Sequence, residues 1–199
     1  MSTYLTPRVR SLCVFCGSST GFEPAHREAA TRMGEILARE KVTLVYGGGH
    51  IGMMGALAEA ALRGGTRVVG IIPEHVARVE AAFTEITELH VVDSMHTRKR
   101  RMSDMADAFC VLPGGMGTMD ETFEILTWKQ LRLHDKPIVM VNHQGYWDPF
   151  RALFESIIAQ GFAGPETARL LTFVDDVEAV LPAARREMTT LPTSAPQLF

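Results

Sequence analysis

The run Pro113-Gly114-Gly115-Met116-Gly117-Thr118-Met119-Asp120-Glu121 places glycines and a carboxylate in a stretch that follows an apolar segment, residues 108–112, and opens into a helical pattern. Glycines at such a turn let backbone N–H groups converge on an anion, with the positive end of the helix dipole behind them. Glu121 follows Gly117 by four residues, near enough to the same helix start for an acid and a phosphate ester to share one pocket. That combination suggests chemistry on a nucleotide. The alternative is that Asp120 and Glu121 only complement the helix dipole, a common surface arrangement.

A cation is within reach of such a site. In Met95-His96-Thr97-Arg98-Lys99-Arg100-Arg101-Met102-Ser103-Asp104-Met105, the residues Met95, Arg98, Met102 and Met105 share the stripe that a helix turns toward the protein, while Lys99 and Arg100 project elsewhere. An inward Arg98 needs an anion, because an unpaired buried charge is costly. Glu121 or a phosphate could supply it, and a purely structural Arg-carboxylate pair is the other reading. Thr118, Glu121, Ile125, Trp128 and Arg132 form one row on the following helix, so Glu121 shares its face with large apolar groups.

These residues need a frame, and the pattern provides one. Strand-like apolar runs fall at residues 12–16, 43–46, 67–72, 89–92, 108–112, 138–141 and 171–174, with helical patterns at 24–40, 52–63, 95–105, 118–134, 149–160 and 177–186. Alternation of this kind predicts an α/β fold: one Rossmann-like, doubly wound parallel sheet of about seven strands flanked by helices. Residues 1–188 are expected to form that single domain, with 189–199 as a flexible tail carrying Pro192 and Pro196. In an open parallel sheet the ligand crevice lies at the carboxyl ends of the strands. The small-residue turns Cys16-Gly17-Ser18-Ser19, Tyr46-Gly47-Gly48-Gly49 and Pro113-Gly114-Gly115 are therefore expected to line one cleft, which makes Gly17, Ser18, Gly48 and Gly114 candidate substrate contacts. The turn from Gly47 to Gly55 also fits tight strand-helix packing, and no ribose-binding acid ends the next strand, where Pro73-Glu74 stands.

Composition removes several function classes. The 199 residues are 46% hydrophobic and 22% charged, as in an ordinary globular protein, and a net charge of −3 argues against a general nucleic-acid binder. Neither a signal-peptide core nor a bilayer-length apolar run is present, so a cytoplasmic location is expected. Cys13 and Cys16 have CxxC spacing, but on a strand they point to opposite faces and cannot clamp one metal. No HExxH, GxSxG or GxxxxGK[ST] motif occurs, and Lys41, Lys99, Lys129 and Lys136 offer no obvious setting for a pyridoxal group.

Met95-His96-Thr97-Arg98-Lys99 followed by Pro113-Gly114-Gly115-Met116-Gly117-Thr118-Met119-Asp120-Glu121 resembles the paired MHxRK and PGGxGTxxE motifs of the LOG ("Lonely Guy") family. Those proteins are cytokinin riboside 5'-monophosphate phosphoribohydrolases, many once labelled lysine decarboxylases. The resemblance extends from Val14-Phe15-Cys16-Gly17-Ser18-Ser19 to Thr127-Trp128-Lys129-Gln130-Leu131, His134-Asp135-Lys136-Pro137 and Gly161-Phe162. It implies Arg98 and Glu121 as the catalytic pair. It further implies substrate contacts at Lys99, Gly115, Met116, Gly117, Thr118 and Thr127, with Glu80 on the base. The implied reaction splits the N-glycosidic bond of an N6-substituted adenosine 5'-monophosphate without metal or other cofactor. The implied assembly is a homodimer with its site near the interface, for which residues 123–133 could supply a surface. A general purine nucleotide nucleosidase and a non-catalytic nucleotide carrier of the same fold are the alternatives.

Overall fold

The computed structural model describes residues 8–78 and 81–190. Seven strands form one all-parallel sheet in the order β4-β3-β2-β1-β5-β6-β7. They are β1 (Ser11–Phe15), β2 (Thr43–Tyr46), β3 (Val68–Pro73), β4 (Glu88–Val92), β5 (Ala108–Val111), β6 (Ile138–Val141) and β7 (Thr172–Val174). The chain winds outward from β1 to β4, then returns to β5 beside β1 and winds the other way. The doubly wound sheet expected from the sequence is thus present, and its switch point lies between β1 and β5.

Strand alternation sorts the core into two layers. Leu12, Val14, Cys16, Leu44, Tyr46 and Cys110 face one layer; Cys13, Phe15, Val45, Phe109 and Val111 face the other. Cys13 and Cys16 therefore do lie on opposite faces. The first layer is covered by α1 (Pro24–Glu40), α2 (Gly52–Arg63) and α7 (Val180–Thr190), and the second by α4 (Met95–Asp104), α5 (Met116–Gln130) and α6 (Asp148–Ala159). Helices α1 and α2 cross closely at Gly34, where a Cβ would lie 2.4 Å from the Leu57 carbonyl oxygen.

The elements differ from the sequence pattern at their ends. A one-turn helix α3 (Glu74–Ala77), too short to show a period, follows β3. Helix α5 stops at Gln130 rather than continuing to residue 134, because Arg132 turns left-handed (φ 59°) and His134 Nε2 reaches back to the Ile125 carbonyl at 2.9 Å. Arg132 therefore leaves the row that carries Glu121. The last helical pattern divides into a 3-10 turn, Val177–Ala179, and α7, which runs through Thr189 and Thr190. Those two residues were expected to open the tail; residues 191–199 lie outside the described ones. No helix among the described residues is long and apolar enough to cross a membrane.

Candidate active site

At the switch point a cavity of ≈ 140 Å³ opens between the ends of β1 and β5. Its floor is apolar, from Val14, Phe15, Met54 and Met102, and its polar groups are Arg98, Glu121, Ser18 and the start of α5 from Gly115 to Thr118.

Arg98 arrives from α4, whose start is fixed by Ser94: the Ser94 hydroxyl accepts the Thr97 N–H at 3.1 Å. One turn later the guanidinium is buried with three anchors. Its Nε donates to the Ile71 carbonyl at 3.1 Å, its Nη2 to the Gly47 carbonyl at 3.5 Å, and Nη2 also lies 3.5 Å from Glu121 Oε1. Glu121 is equally buried, at 7% exposure, so this is an interior ion pair and not a dipole-complementing surface acid. Removing one partner of such a pair typically costs about 3–5 kcal/mol.

Gly47 is the residue that makes room for the guanidinium. A Cβ there would sit 2.1 Å from Arg98 Nη2. Gly48, the candidate contact named in the same turn, is outside the cavity lining; its positive φ of 80° and a Cβ position 3.1 Å from Ile72 Cβ explain why it is glycine. Gly17 also plays a packing role. Its N–H is spent on the Pro113 carbonyl at 3.1 Å, and a Cβ would meet the Ser19 carbonyl oxygen at 2.8 Å. Neither residue lines the cavity.

The glycines of the α5 turn divide by purpose. Gly114 is required inside the protein, since a Cβ would fall 2.1 Å from Thr118 Oγ1. At Gly115 and Gly117, by contrast, a Cβ would have no neighbour within 4 Å, and neither has a left-handed φ. A glycine in a helix costs roughly 0.5–1 kcal/mol relative to alanine, and nothing inside the fold accounts for that cost at Gly117. The space beside these glycines is open to something from outside. No side chain caps this helix start, so the first N–H groups of α5 face an uncapped, positive helix end.

Lys99 takes a neighbouring position. Its Nζ lies 3.1 Å from Asp120 Oδ2 and 3.2 Å from Glu124 Oε2, making a second bridge from α4 to α5 outside the cavity lining. Burial works against its charge, but the hydrogen bonds to those two carboxylates prevail and raise its pKa. Thr127 is exposed on α5 and does not line the cavity either. Glu80 lies outside the described residues. The sequence places the turn holding Gly47 on the cleft without singling that residue out, and gives no site role to Met54 or Met102. Met54 stands in the first turn of α2, just after the small-residue turn that ends β2, and Met102 lies on the inward stripe of α4, the signals that could have found them.

A family model described as "Possible lysine decarboxylase" matches residues 54–184. The cytokinin riboside 5'-monophosphate phosphoribohydrolase of Rhodococcoides fascians is 44% identical over 186 residues, spanning 93% of this chain and 94% of that protein. The cytokinin riboside 5'-monophosphate phosphoribohydrolase LOG7 of Arabidopsis thaliana is 40% identical over 164 residues, 82% of this chain and 76% of that protein. Among solved structures, the molybdenum cofactor carrier protein of Chlamydomonas reinhardtii superposes with a TM-score of 0.69 at 17% identity, over 92% of this chain and 100% of that one, a likeness of fold alone. Paired motifs, a matching family model and near full-length relatives agree: the chain belongs to the LOG family.

Proposed function

We propose that this protein hydrolyses the N-glycosidic bond of cytokinin riboside 5'-monophosphates and related adenosine 5'-monophosphates, releasing the free base and ribose 5-phosphate. The observation that carries this reading is the buried Arg98–Glu121 pair in one cavity with the open, uncapped start of α5. The 5'-phosphate sits against the N–H groups of Gly115 to Thr118, and this remote binding energy holds the sugar over Glu121. There the carboxylate stabilises the oxocarbenium-like sugar and orients a water. Water oxygen bonds to the anomeric carbon as the bond to the base nitrogen breaks, and the base leaves with a proton. Arg98, tied to two carbonyls, holds the carboxylate in place.

The cavity of ≈ 140 Å³ is smaller than the roughly 300–1,000 Å³ of a typical small-molecule site. It suits a ribose phosphate, leaving the base to groups beyond it. Glu80, Lys99, Thr127 and a second subunit are proposed for that role, in a homodimer that covers the exposed Leu131 and Leu133. Free Cys13, Cys16 and Cys110 fit a reducing, cytoplasmic setting. A pyridoxal-dependent decarboxylation fits poorly, because none of the four lysines lines the cavity.

The test is a base-release assay across AMP, isopentenyladenosine monophosphate, GMP and CMP. Release from the adenosine monophosphates is expected, with a loss of about 10²–10⁴-fold in Glu121→Gln. Tight nucleotide binding without release would overturn the hydrolase and favour a carrier.

A further inference from the structure

The connection between β6 and α6 is built to deliver one hydroxyl to the phosphate turn. Asn142 anchors it: its Nδ2 donates to Asp148 Oδ1 at 2.8 Å, and its Oδ1 accepts the Trp147 N–H at 2.7 Å. Gln144 and Gly145 both turn left-handed, at φ 54° and 75°. Tyr146 is thereby carried toward the end of the neighbouring strand, its ring edge-on to His26 at 5.1 Å and to Trp147 at 4.8 Å. Its hydroxyl donates to the Gly114 carbonyl oxygen at 2.7 Å.

The peptide joining Gly114 to Gly115 is trans, so its C=O and N–H project to opposite sides of the chain. Holding the oxygen on Tyr146 fixes the Gly115 N–H on the side away from Tyr146, and Gly115 lines the cavity. Glycine on both sides of one peptide leaves that plane easy to rotate. A rotated plane would present a carbonyl oxygen where an N–H should meet an anion, turning attraction into repulsion. We propose that Tyr146 is a positioning residue that locks the Gly114–Gly115 peptide with its N–H available to the substrate phosphate. This rests on the reading of the cavity as a nucleotide phosphate site.

Tyr146→Phe keeps the ring between His26 and Trp147 and removes only the hydroxyl. Ribose 5-phosphate binding, measured by calorimetry on wild type and variant, is expected to weaken about three- to tenfold, the usual effect of one lost hydrogen bond. KM for a nucleoside monophosphate should rise by a similar factor while kcat stays within about twofold. The melting temperature should be unchanged, which separates positioning from a structural role. Unaltered ribose 5-phosphate affinity in the variant would overturn the lock, as would a wild-type protein that does not bind ribose 5-phosphate. A wild type that binds ribose 5-phosphate but releases no base would defeat the hydrolase reading alone, and weaker binding by Tyr146→Phe would still support the lock.

Discussion

The α-carbon of Gly47 faces the Arg98 guanidinium so closely that a methyl group on it would stand 2.1 Å from Nη2. The turn after β2 and the side chain from α4 have therefore to be understood together: the first has no side chain so that the second can reach Glu121. The contact joins elements fifty-one residues apart in the chain through the Gly47 carbonyl, which also accepts from Nη2.

Gly47→Ala is expected to push the guanidinium off Glu121 while leaving both charged groups in the protein. Base release should fall at least tenfold, mostly in kcat, because the carboxylate loses its orientation and not its identity. Steady-state kinetics beside the Glu121→Gln variant would check this. Wild-type kcat in Gly47→Ala would show that Arg98 need not occupy its observed place.

Much of this frame was legible in the sequence because strands buried on both faces are continuous apolar runs, and three of them, β1, β2 and β5, end at turns of small residues. The central strands follow from that pattern, the half-exposed edge strands β4 and β7 from shorter apolar runs, and the inward stripe of Met95, Arg98 and Met102 from helical period. What the sequence did not carry was the purpose of each glycine. Gly17, Gly47, Gly48, Gly114 and Gly117 look alike in a string. They differ in what surrounds them: the Pro113 carbonyl for Gly17, Arg98 for Gly47, Ile72 and a left-handed φ for Gly48, Thr118 for Gly114 and, for Gly117, open space. The end of α5 escaped for a similar reason. Leu131 and Leu133 continue an apolar pattern, yet both are exposed, and the helix is stopped by the left-handed Arg132 and by His134.

The two kinds of glycine in the α5 turn should respond oppositely to alanine. Gly117→Ala meets nothing inside the fold and removes a helix-breaking residue, so it should stabilise the protein by about 0.5–1 kcal/mol in urea denaturation while weakening nucleotide binding. Gly114→Ala must displace Thr118 and should destabilise it. If Gly117→Ala bound ribose 5-phosphate as tightly as wild type, the open space beside it would not be the phosphate seat.

Stability should fall on the acid side, and His134 is one cause. Its Nδ1 accepts the Lys136 N–H at 3.1 Å, so the ring proton lies on Nε2 and is donated to the Ile125 carbonyl at 2.9 Å, the neutral form. Burial pushes its pKa below the ordinary 6.5, with Lys129 and Lys136 assisting and the Ile125 hydrogen bond and Asp135 opposing. The unfolded chain takes up a proton near pH 6.5 and the folded one only below it, so the unfolded state binds more protons in that interval. The stabilisation is complete above pH 6.5 and is lost as the pH falls from there to the folded value, with a slope of at most about 1.4 kcal/mol per pH unit. His26, also held low by burial, adds a contribution of the same sign. His134→Asn should be less stable than wild type at pH 8, where the capping hydrogen bond is lost, but should show a flatter decline between pH 6.5 and 5. Urea titrations at several pH values measure both slopes, and parallel curves for the two proteins would remove His134 as the titrating group.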